Sequence, residues 1–173
     1  KAADKYLQEV EAFLDYDIMD KLQFVVFNSQ SAFRQSNIGL RNDESTNIGG
    51  IARVDGNKIF IFYEGDHDKL DRQIRSGIAS IVVHKLMYGD NWKDALKSST
   101  ILAFPDWFIN GFTDYMAGDW TTEIDNKVKD GVLTGSYDKF NRLEGENSRL
   151  AGYALWNYID EVYGKKMIPN ILY

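Results

Sequence analysis

Apolar and polar positions follow different rhythms along this chain, and the rhythms sort it into elements. Residues 2–16 place Tyr6, Val10, Phe13 and Leu14 on one face at helical spacing. Leu22 to Phe27 is a short apolar run, broken only by Gln23 and closed by Asn28-Ser29, and reads as a buried strand. Gln30 to Asn37 reads as a short helix with Ser29 as its cap. Arg41 to Asn47 is polar and reads as a loop. Gly49-Gly50-Ile51-Ala52-Arg53-Val54 and Lys58 to Tyr63 read as two strands of a hairpin. They join at Asp55-Gly56, a dipeptide suited to a turn whose two central residues both take positive φ.

Beyond Glu64-Gly65-Asp66 the pattern is helical. Leu70 to Gly89 predicts a long helix, with Asp66 or Asp68 near its positive end. Trp92 to Ser99 predicts a brief helix, and Pro105 opens another that runs to Gly118. Thr121 to Lys129 is helical with Thr121 or Thr122 as cap, after which Gly131 and Gly135 punctuate the chain. Asn147 to Tyr163 carries Leu150, Ala154, Leu155, Tyr158, Ile159 and Val162 at helical spacing and stops at Gly164. Lys165 to Tyr173 predicts a last short helix interrupted by Pro169. A helix, a small mixed sheet with an edge hairpin packed on helices, then helices alone make an α+β plan.

At 173 residues the chain reads as one domain, a sheet-containing half over about 1–89 and a helical half over about 90–173. A net charge of −6 with no basic block argues against nucleic acid as a partner. The absence of cysteine removes disulfides, cysteine nucleophiles and thiolate metal sites. No apolar run is long enough to insert in a membrane. The chain opens at Lys1 inside a helical pattern and shows no signal peptide, which reads as a piece of a longer product.

The central helix pair bears the candidate chemistry. Its landmarks are Ile74-Arg75, Met87-Tyr88-Gly89 and above all Pro105-Asp106-Trp107-Phe108-Ile109-Asn110-Gly111-Phe112-Thr113-Asp114-Tyr115. With Phe24-Val25-Val26-Phe27-Asn28-Ser29, Phe33, Ile48-Gly49-Gly50, Gly152-Tyr153-Ala154 and Tyr163-Gly164, they span nearly the whole chain. In these residues the chain resembles the peptidase-MA-like, thermolysin-related (gluzincin) domains of large exported proteins of Bacteroidetes-type bacteria. The resemblance implies a zincin-like fold, and an exported protein of the periplasm or cell surface.

Such a peptidase holds zinc with His-Glu-x-x-His on one helix and a glutamate from a second, the first glutamate serving as general base. Alignment on Ile74-Arg75 and Tyr88-Gly89 needs no gap and puts the two histidines at Ser76 and Ser80, the base at Gly77 and the third ligand at Asn110. A second frame, which needs a shift, starts at His84 and puts Lys85 and Tyr88 in the other places. Neither frame supplies a zinc site, because hydroxyls and a carboxamide are poor ligands for that ion. No cofactor is therefore expected, and the expected role is a pseudo-peptidase acting as a binding or scaffold module.

The remaining candidates stay open. Asp114 is a former support for a ligand histidine, a partner of Arg75 or of hydroxyls, or a solvated charge. His84 is a hydrogen-bonded structural histidine or a polar contact in a peptide groove. Tyr153 falls where the family stabilises an oxyanion. Gly49, Gly50, Ile51 and Ala52 form either an ordinary hairpin strand or an edge to which an extended peptide, another protein or another domain adds. A hydrolase built on Ser80 and His84, and a passive structural spacer, are the alternatives.

Overall fold

A computed structural model describes residues 1–38, 47–48, 52–90 and 104–173 of the chain. Residues 41–46 of the expected loop Arg41 to Asn47, the brief helix at 92–99, and Gly49, Gly50 and Ile51 lie outside the described residues, whereas Asn47, expected in that loop, begins a strand. The chain divides into two compact units, Lys1–Leu86 and Met87–Tyr173. The architecture is α+β: the first unit carries a mixed sheet with helices, and the second, among its described residues, is helical.

In the first unit, α1 (Ala2–Leu14) buries Tyr6, Val10 and Leu14, the stripe expected from their spacing. Strands β1 (Gln23–Phe27), β2 (Asn47–Ile48), β3 (Ala52–Asp55) and β4 (Lys58–Phe62) form one sheet in the order β1-β4-β3-β2. β1 runs parallel to β4, whereas the β3–β4 and β2–β3 pairs are antiparallel. The β3–β4 hairpin is thus the centre of the sheet and not its edge. Helix α2 (Gln30–Gln35) starts where Ser29 Oγ accepts the Ala32 N–H at 3.1 Å, and buries Phe33 against the rings of Phe27 and Phe62.

Two details differ from the sequence expectation. The register Asp55↔Lys58 makes Gly56 and Asn57 the two turn residues, one step later than expected. Only Gly56 takes positive φ (61°), so a glycine at the first central position suffices, as in a type II′ turn. β1, expected to be buried, has Val25 and Val26 exposed at 38% and 54%. Its residues are apolar enough for a core strand, but among the described residues the topology gives it one neighbouring strand instead of two.

Helix α3 (His67–Tyr88) is the longest element. Asp66 Oδ1 accepts the Lys69 N–H at 3.0 Å, which satisfies one open donor of its first turn and holds the Asp66 carboxyl below its usual range. Every residue from Ser76 to Lys85 is buried. Gln73 ties the helix to the sheet: its side-chain amide accepts from the Phe62 N–H (2.9 Å) and donates to the Phe62 carbonyl (2.8 Å). Arg75 lies over the Tyr6 ring, 5.1 Å from its centroid, and pairs with Asp71 one turn earlier.

The second unit is built on α4 (Asp106–Ala117), α5 (Thr122–Leu133), α6 (Gly145–Tyr163) and α7 (Met167–Leu172). Pro105 caps α4, Thr121 Oγ1 accepts the Ile124 N–H to start α5, and Gly164 at φ 85° ends α6. α5 runs past the expected stop, because Gly131 is a packing residue: the Tyr137 ring occupies the space a side chain would need. Pro169 sits in the first turn of α7, where its missing N–H would have had no helical partner, so it starts that helix instead of breaking it.

α4 and α6 cross glycine against glycine. A Cβ on Gly111 would stand 2.5 Å from Gly152 Cα, and one on Gly152 would run into the Trp107 carbonyl. Close approach lets Trp156 pack on Phe112 (centroids 4.9 Å) and Phe108 (5.2 Å) while its Nε1 donates to the Phe108 carbonyl at 3.2 Å. Tyr115 donates to Asp160 at 2.7 Å across the same pair of helices.

Candidate functional site

The positions that would carry a metal fall on α3 in one unit (Ser76, Gly77, Ser80, with His84 beyond) and on α4 in the other (Asn110, Asp114). Each set is described within its own unit.

On α3, helical periodicity puts Ser76, Ser80 and His84 in one row. Ser76 is wholly buried, and its Oγ has no hydrogen-bond partner among the described residues. Gly77 is closed off by the sheet. A Cβ there would overlap Ile59 Cγ2 of β4, with Ile59 Cγ1 and Cδ1 both at 3.2 Å. The place where the resemblance puts a general base is therefore occupied by an isoleucine side chain.

His84 has a definite tautomer. Its Nδ1 lies 2.7 Å from the Ser80 carbonyl, which only accepts, so Nδ1 carries the hydrogen. Ser80 Oγ, 3.3 Å from that same nitrogen, faces a donor and not a base. Burial pushes the imidazole below its ordinary pKa, opposed in part by the hydrogen bond to Ser80. The sign of the pH effect follows. A folded state that resists protonation loses stability relative to the unfolded chain as the pH falls below about 6.5, by at most about 1.4 kcal/mol per unit for one proton. Urea midpoints taken between pH 7.5 and 5.5 should fall with pH, and should fall less in His84→Gln; equal slopes would contradict this assignment.

Lys85, the base of the shifted frame, is buried and donates to Asp20 Oδ2 at 2.6 Å. Its hydrogen bond holds the Asp20 carboxyl low. It fastens the segment before β1 to α3.

On α4, Asn110 is half-buried. Asp114 has a charged partner within its own unit. Its Oδ1 accepts from Arg149 Nη2 of α6 at 2.5 Å, with both side chains largely shielded (9% and 19% exposed). Nothing in the sequence marks Arg149 as that partner, since the pair spans 35 positions. Arg149→Met should cost about 2–4 kcal/mol by leaving a buried carboxylate unpaired. Adding Asp114→Leu should recover most of that loss in urea unfolding, and equal single and double losses would refute the pairing.

Tyr153 is buried on α6. Its hydroxyl donates to the Gly118 carbonyl at 2.8 Å, and its ring meets Trp120 edge to face. It thus serves the C-terminal end of α4. Ala52 is buried in β3, paired with Ile48 on one side, while its neighbour Arg53 pairs with both Asn47 and Phe60.

Among the described residues no group of three or more His, Asp or Glu side chains could hold a metal ion, and no helix is long and apolar enough to cross a membrane. The zinc that the resemblance implies does not fit the residues present: two buried hydroxyls, a glycine sealed by Ile59 and a carboxamide. Compared with family models, with curated proteins and with solved structures, the chain matches none.

Proposed function

We propose that this chain is a zincin-like domain that has lost peptidase chemistry and acts as a binding or scaffold module in an exported protein of the periplasm or cell surface. The observation that carries the reading is the closure of position 77. Peptide hydrolysis by a gluzincin needs a base beside a metal-activated water, and here Ile59 fills the space beside the backbone at that position. Ser76 and Ser80, in the places of the imidazole ligands, are buried hydroxyls. The landmark glycines Gly111 and Gly152 have a packing role, since they set the distance between α4 and α6.

A hydrolase using Ser80 and His84 is the weaker reading. A nucleophilic serine needs a neighbouring nitrogen that accepts its proton, and Nδ1 already donates to the Ser80 carbonyl. A passive spacer would share the closed site but bind nothing.

Zinc content measures the choice directly. Protein equilibrated with zinc and then dialysed should retain far less than one ion per chain, and should not hydrolyse unfolded casein above the blank. One tightly held zinc per chain would end the inactive reading. Labelling of Ser80 by a fluorophosphonate would instead favour the serine hydrolase.

A further inference from the structure

No further inference is drawn: the strongest candidate, the exposed apolar patch of Tyr158, Val162 and Tyr163 at the C-terminal end of α6, carries nothing, because nothing among the described residues shows what covers it.

Discussion

Gly152→Ala is expected to unfold the second unit while leaving the first folded. The added methyl would collide with the Trp107 carbonyl and sit 3.0 Å from Gly111 Cα, and all of these are backbone atoms that no rotamer change can move. Relief requires α4 and α6 to separate, which strips Trp156 from Phe108 and Phe112 and parts Tyr115 from Asp160. Overpacking in a core costs about 1–3 kcal/mol when side chains can yield. With backbone on both sides the loss should exceed that and reach about 4 kcal/mol, a large share of a margin of 5–15 kcal/mol. Gly111→Ala should behave alike, because its Cβ would meet the Gly152 backbone and the Tyr153 nitrogen at 2.7 Å. Gly164→Ala, strained only by its φ of 85° and with open space around it, should cost about 1 kcal/mol. Amide exchange resolves the outcome by residue: α4 to α7 should lose protection while α1 and β4 keep it. Retention of native protection in α4 and α6 would show that the crossing yields more easily than its geometry implies.

Rebuilding the peptidase motif should fail, and in an informative way. The triple variant Ser76→His, Gly77→Glu, Ser80→His installs the gluzincin sequence but places two imidazoles on a buried row and a carboxylate against Ile59. Overpacking at three neighbouring positions, with burial of an unpaired charge, should remove about 5 kcal/mol or more. Zinc should give little back, and no tight complex with one ion per chain should form. Ser76→Ala is the contrast. It deletes a hydroxyl with no partner among the described residues and should be neutral or stabilising by about 1 kcal/mol. Calorimetric zinc titration and urea midpoints of both variants check the pair of outcomes. A stable triple variant that binds one zinc would show that Ile59 leaves room for a carboxylate at position 77.

What was legible in the sequence was mostly local. Ser29 and Thr121 cap helices, Gly164 ends one, and the stripe Tyr6, Val10, Leu14 buries as its spacing requires. These depend on neighbours within a turn or two. Non-local facts were not legible. β1 has the composition of a core strand, and only the strand order shows it as an edge among the described residues. Gly131 looks like a stop and is a seat for Tyr137. Gly77 looks like a lost glutamate, and what it accommodates, Ile59, lies 18 positions earlier on another element. At the candidate site the row Ser76, Ser80, His84 was readable from helical spacing. The Asp114–Arg149 pair and the Asp20–Lys85 anchor join elements far apart in the chain, and no spacing rule connects them.

The division at Leu86 and Met87 has an optical consequence. All four tryptophans (Trp92, Trp107, Trp120 and Trp156) belong to the second unit, and the first has none. Indole emission therefore originates in the second unit alone, while far-ultraviolet dichroism draws on both. If the halves melt separately, the two signals will trace different curves from the same sample.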